Sequence, residues 1–121
     1  MSSFGVDPGS VRTGYGCIEI HGSRHRLLGC GVVSLSPKLA FSEKLEVLHS
    51  KLVALLEKHK PNALVVEDLF HAKNARSALK LGHVRGVVLL AGAQAGIPIS
   101  EYTPTEVKLA VAGYGLSLIH I

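Results

Sequence analysis

Asp7 and Glu67 are the residues of this chain best suited to chemistry. Each stands where a short apolar run gives way to a turn, in Val6-Asp7-Pro8-Gly9-Ser10 and in Val65-Val66-Glu67-Asp68. Two carboxylates at neighbouring strand ends supply the hard oxygen ligands that a divalent cation takes. Such a cation activates water and steadies charge on a phosphodiester. A pair is fewer than a two-metal cage requires, so further acids would have to join them. The simpler readings stay open beside this one: an Asp before Pro-Gly also serves as a turn former, and an acid at a strand end also serves to face solvent.

The stretch Asp7-Pro8-Gly9-Ser10…Thr13-Gly14 has a competing use. An acid followed by a hairpin of small residues cradles nucleotide phosphates in sugar-kinase and actin-like ATPases. Those proteins close a second domain over the nucleotide, and a chain of 121 residues has no room for one. Further along, Lys73, Arg76, Lys80 and His83 are spaced 3, 4 and 3, which puts them in one cationic stripe on a helix. The stripe suits phosphates, or is a solvated face. On another face Gly82 and Gly86 leave a flat surface for close approach, either to the chain's own sheet or to a second copy. Phe70, three residues after Glu67, is a core aromatic or a base-stacking platform. None of the seven histidines joins a ligand cluster, and His49 and His59 read as surface positions on a helix.

The elements that must place these groups follow from periodicity and punctuation. A strand is expected over 4–7, then two more over 15–20 and 27–35, joined as a hairpin by His21-Gly22-Ser23-Arg24. Phe41, Leu45, Leu48, Leu52 and Leu55 are spaced 4, 3, 4 and 3, one face of an amphipathic helix that Lys58-His59-Lys60-Pro61 ends. The run 63–67 reads as a central parallel strand buried on both faces. A helix over 72–95, a strand over 97–102 and a third helix from Thr105 complete the order. This is α/β, a mixed sheet flanked by helices, with ligands expected at the carboxyl ends of its parallel strands.

Composition agrees with one globular domain: 47% apolar, 18% charged, and 13 Lys+Arg against 9 Asp+Glu for a net charge of +4. That excess is compatible with nucleic acid and does not demand it. Cys17 and Cys30, with apolar neighbours and no further cysteines, read as buried free thiols rather than a zinc site or disulfide framework. The apolar run over 87–95 is too short to span a bilayer, and no signal peptide is read, so no membrane partner and a cytoplasmic location are expected.

Taken together, Gly5-Val6-Asp7-Pro8-Gly9-Ser10-Val11-Arg12-Thr13-Gly14-Tyr15-Gly16 and Glu67…Phe70…Ala72-Lys73-Asn74-Ala75-Arg76-Ser77-Ala78-Leu79-Lys80-Leu81-Gly82…Arg85-Gly86 closely resemble RuvC, the bacterial crossover junction endodeoxyribonuclease family of Holliday junction resolvases. Glu101-Tyr102…Val107-Lys108…Val111…Gly113-Tyr114-Gly115 extends the likeness, so that it covers about 5–115. The resemblance implies an RNase H-like fold and a homodimer that nicks opposite strands of a four-way DNA junction symmetrically during recombination and repair. It implies dependence on Mg²⁺, with Mn²⁺ able to substitute, and work beside the RuvA–RuvB branch-migration complex in a bacterial cytoplasm. By the same resemblance Asp7 and Glu67 are metal-binding catalytic carboxylates. The resemblance also implies that Phe70 and Lys108 face DNA and that Gly82 and Gly86 lie on the dimer-forming helix, while Lys73, Arg76 and Lys80 are assigned to DNA from their own spacing.

The departures carry expectations too. The family's other catalytic acids, a D-x-x-D pair on a C-terminal helix, have no counterpart, and no acid follows Gly115. The ending Leu116-Ser117-Leu118-Ile119-His120-Ile121 resembles the translation of a sequencing adapter. The expected organisation is therefore an incomplete resolvase domain over 1–115 lacking its C-terminal helices, and a foreign tail over 116–121. Such a polypeptide should nick poorly. Two other outcomes stand beside it: a junction-binding module without catalysis, which Asp7→Asn would leave unaltered, and a nucleotide-phosphate-binding relative of the ATPases, which ATP–Mg²⁺ titration would reveal.

Overall fold

The computed structural model describes residues 1–67 and 74–102, Tyr102 by its backbone alone. Apolar residues alternate along the first strand, β1 (Ser2–Asp7), where Phe4 and Val6 are buried and their neighbours partly exposed. The chain then forms a long hairpin, β2 (Arg12–His21) and β3 (Arg24–Ser34), turning at Gly22-Ser23. Helix α1 (Phe41–His59) follows, then β4 (Ala63–Glu67), α2 (Ala75–Gln94) and β5 (Ile99–Tyr102). The strands form one sheet in the order β3-β2-β1-β4-β5. β1 is antiparallel to β2, and β2 to β3, while β4 is parallel to both β1 and β5.

Both helices bury their apolar stripes on one side of this sheet. Leu48, Leu52 and Leu56 of α1 and Val84, Val88 and Ala91 of α2 form a single core with Phe4, Val6, Cys17, Val33, Leu64 and Val66. Each such aliphatic side chain, fully buried, contributes roughly 1.5–3 kcal/mol before chain entropy is charged against it. Gly92 lets α2 close on β4: a Cβ there would stand 2.5 Å from Leu64 Cδ2. Among the described residues no helix covers the other face, where Ala63 and Val65 stay half-buried and Val32 is exposed. No described helix is long and apolar enough to cross a membrane.

The expected order of elements stands as far as Tyr102, with β2 beginning at Arg12 rather than 15, β3 at Arg24 rather than 27 and β5 at Ile99 rather than 97. There are four further adjustments. In α1 the buried leucine is Leu56, with Leu55 only half-buried, because the stripe drifts around a 3.6-residue helix. α2 starts at Ala75 rather than 72, because Asn74 is extended and its Oδ1 accepts from the Ser77 N–H at 2.9 Å, an N-cap. Cys30 is exposed, against the expectation of two buried thiols. Its partner across the ladder is Gly16, on the face without a described helix. Cys17 is buried on the core face, and burial pushes its thiol pKa up. His49 and His59 are half-buried rather than simply superficial: His49 Nε2 is 2.7 Å from Gln94 Oε1, and the His59 ring tilts against Phe4. The expected third helix lies outside the described residues.

Candidate metal centre and nucleic-acid face

The two acids are brought together by strand register. In the parallel β1–β4 pair Val6 stands opposite Val66, and each strand ends one residue later, at Asp7 and Glu67. Neighbouring strands run about 4.8 Å apart, and residues level with each other on a parallel pair share a face. Phe4, Val6, Leu64 and Val66 take the core side, so alternation gives both carboxylates the opposite side. Asp7 is half-buried and Glu67 only 4% exposed.

The turn after Asp7 is held from within. Thr13, 1% exposed, receives a hydrogen bond from the Gly9 N–H and donates its hydroxyl to the Gly9 carbonyl, both at 3.3 Å. Glycine is required there, since a Cβ on Gly9 would lie 2.1 Å from the Arg12 carbonyl oxygen, a backbone atom with little freedom to yield. The end of β4 is held from outside by Arg85 of α2. Its Nη1 donates to the Glu67 carbonyl, and its Nη2 lies 2.8 Å from Glu101 Oε1 on β5.

Two oxygen-donor side chains level with each other at a sheet edge fit a hard divalent cation. They are half of a site: no group of three or more His, Cys, Asp or Glu is gathered among the described residues. α2 leaves the same end of the sheet, since it follows β4, and its first turns carry Arg76 and Lys80 exposed. Lys80 Nζ lies 5.9 Å from the centre of the Phe41 ring, and that ring tilts against His83 at 5.9 Å. The cationic stripe is thereby tied to the start of α1. Gly82 and Gly86 are exposed, with nothing within 4 Å of where a Cβ would stand. Leu79 and Leu90, 62% and 50% exposed, extend this strip at helical spacing.

Of the residues singled out from the sequence, Asp7 and Glu67 are adjacent, and Arg76, Lys80, Gly82 and Gly86 lie together on α2. Phe70, Lys73 and Lys108 lie outside the described residues. The part played by Arg85 and Glu101 was missed, although a charge between Val84 and Gly86-Val87, in an otherwise apolar half-helix, is a usable signal.

The family described as Crossover junction endodeoxyribonuclease RuvC matches residues 3–117. The crossover junction endodeoxyribonuclease RuvC of Pelotomaculum thermopropionicum is 46% identical over 115 residues, which cover 95% of this chain and 70% of that one. The Thermus thermophilus RuvC solved in complex with Holliday junction substrate superposes with a TM-score of 0.82 at 33% identity, over 93% of this chain and 70% of that chain. The yeast mitochondrial Holliday junction resolvase Ydc2, at 16% identity and a TM-score of 0.63, shares the fold. With its RNase H-like sheet, its paired strand-end acids and a sequence match over nearly its whole length, the chain belongs to the RuvC family of crossover junction endodeoxyribonucleases.

Proposed function

We propose that this chain is the metal-binding and junction-binding part of a Mg²⁺-dependent endonuclease that places paired, symmetric nicks in four-way DNA junctions. The observation that carries the reading is the parallel β1–β4 register, which sets Asp7 beside Glu67 at the sheet end from which the basic helix departs. The family is one of metal-dependent nucleases. Asp7 and Glu67 would hold the cation, which when bound supplies activation of a water and neutralisation of phosphate charge. The chain's own part is to fix those two carboxylates through Thr13 and Arg85, and to seat the DNA backbone on Arg76 and Lys80. Phe70, Lys73 and Lys108 belong to the same DNA-facing set. No acid follows Gly115, so the remaining metal ligands are not among those last residues. Mn²⁺ substitutes for Mg²⁺. RuvA and RuvB are the proposed co-workers, and a bacterial cytoplasm the proposed location.

Binding to a labelled four-way junction, against linear duplex at several salt concentrations, tests the DNA half of this reading. Each phosphate contact contributes about 0.9 to the slope of log affinity against log salt. Lys80→Ala is expected to lower that slope by about 1 and to weaken all junction sequences alike. An unchanged slope would remove Lys80 from the DNA face.

The strip of Leu79, Gly82, Gly86 and Leu90 is proposed as the seam of a homodimer. Glycine in a helix interior costs up to about 1 kcal/mol relative to Ala. Nothing packs on Gly86 within the chain to offset that cost. Gly86→Glu should therefore leave the folded monomer intact by circular dichroism while sedimentation shifts from dimer to monomer. A variant that still sediments as a dimer would move the seam elsewhere.

A further inference from the structure

We infer that Arg85 is the positioning residue of the metal centre: it fixes where the end of β4 stands, and so where Glu67 presents its carboxylate. The inference rests on the metal-binding reading of Asp7 and Glu67. β4 ends at Glu67, the last residue paired with β5 and one past the last paired with β1, so its carbonyl stands at the end of the ladder. Arg85 donates Nη1 to that carbonyl, while Nη2 pairs with Glu101 at 2.8 Å. One guanidinium thus ties together the carboxyl ends of two adjacent parallel strands, and its rigid planar fork sets a separate nitrogen on each, whereas a lysine would bring a single nitrogen on a flexible stem. The guanidinium is well shielded, its side chain 16% exposed against 51% for Glu101.

The geometry separates this role from direct catalysis. Arg85 belongs to a helix on the core side, where Glu101 also lies level with Val66. The Glu67 side chain alternates to the other face, so the arginine grips the ligand's backbone and leaves the carboxylate charge for a cation. It also lies on the helix that carries Arg76 and Lys80.

Groups that orient a metal ligand typically cost 10–100-fold in metal affinity when removed. Mn²⁺ binding to the whole chain, followed by electron paramagnetic resonance, is the direct readout. Asp7→Asn serves as the control that the signal comes from the paired acids. Arg85→Met is expected to weaken Mn²⁺ binding about tenfold. Arg85→Lys should recover part of the loss, and Glu101→Gln, which leaves the carbonyl contact in place, should lose less than Arg85→Met. A purely structural arginine would lower the melting temperature and leave the Mn²⁺ affinity of the folded protein unchanged, and that result overturns the proposal. If Arg85→Met does not fold, Arg85→Lys and Glu101→Gln decide: both at wild-type affinity overturns it. Wild-type binding that Asp7→Asn abolishes but the Arg85 variants leave unmoved defeats the arginine's role alone. Binding that Asp7→Asn leaves intact, or none at all, defeats the metal reading with it.

Discussion

Asp7→Asn and Glu67→Gln will each remove specific Mn²⁺ binding while leaving affinity for a four-way junction within a few-fold of wild type. Each substitution keeps size and hydrogen-bonding capacity but deletes a negative charge, and a hard divalent cation relies on that charge. Glu67 is 4% exposed, so its amide replacement sits in nearly the same space. Nicking is best measured in a chimera that carries on into the C-terminal segment of the Pelotomaculum relative, of which this chain covers 70%. There each substitution should slow Mg²⁺-dependent cleavage by on the order of 10³-fold, the scale on which loss of one group from a catalytic set that acts as a unit is felt. The effects should not add: the double variant should be about as slow as either single one. Cleavage that survives Asp7→Asn would show that the acid is only a turn former. Junction binding lost in parallel with metal binding would mean instead that the acids hold the sheet end together.

The two acids were legible because their surroundings are locally decisive. Five residues, Ala63-Leu64-Val65-Val66-Glu67, form a strand with a charge at its end, and Pro8-Gly9 stops β1 directly after Asp7. Their adjacency was not legible from either segment alone. It depends on β1 pairing with β4 across 55 intervening residues of hairpin and helix, and only the register Val6↔Val66 establishes it. α1 was readable from its 4-and-3 spacing, and its end from Lys60, which takes the left-handed conformation just before Pro61. Cys30 was misread for a physical reason. Its neighbours Leu28, Gly29, Gly31 and Val32 look equally apolar on both sides, yet only one side of the sheet is covered by a described helix. Arg85 was hidden in another way: half of its partnership is a backbone carbonyl, which carries no residue type to recognise. The start of α2 was misplaced because Ala72 invites helix, whereas Asn74 as a cap is the stronger local signal.

Phe4→Ala will be the most destabilising single truncation in the sheet, at about 3–5 kcal/mol, and it will do so without touching the metal site. Phe4 is fully buried in the strand that carries Asp7, opposite Cys17 on one side and Leu64 on the other. Its ring stacks on Tyr15 with centroids 5.6 Å apart and planes 8° from parallel, and His59 tilts against it at 6.1 Å. His59 in turn fills the space left by Gly29, where a Cβ would stand 3.0 Å from its Cε1. Removing the ring therefore opens a cavity that β2, β3 and the end of α1 all border, and such a site collapses poorly. A domain of this size has only about 5–15 kcal/mol to lose. Urea unfolding should show a large fall in midpoint with an unchanged slope, the mark of lost stability rather than a changed unfolded state. Because Phe4 faces the core while Asp7 faces away from it, the fraction still folded without urea should bind Mn²⁺ within about twofold of wild type, by the independence expected of sites that share no partner. Phe4→Leu, which refills much of the space, should recover more than half of the stability. A loss below about 1 kcal/mol for Phe4→Ala would mean that the aromatic stack is not what closes this core. A loss of Mn²⁺ affinity in folded Phe4→Leu would mean that the core and the acid pair are one mechanical unit, with β1 carrying packing strain from one face to the other.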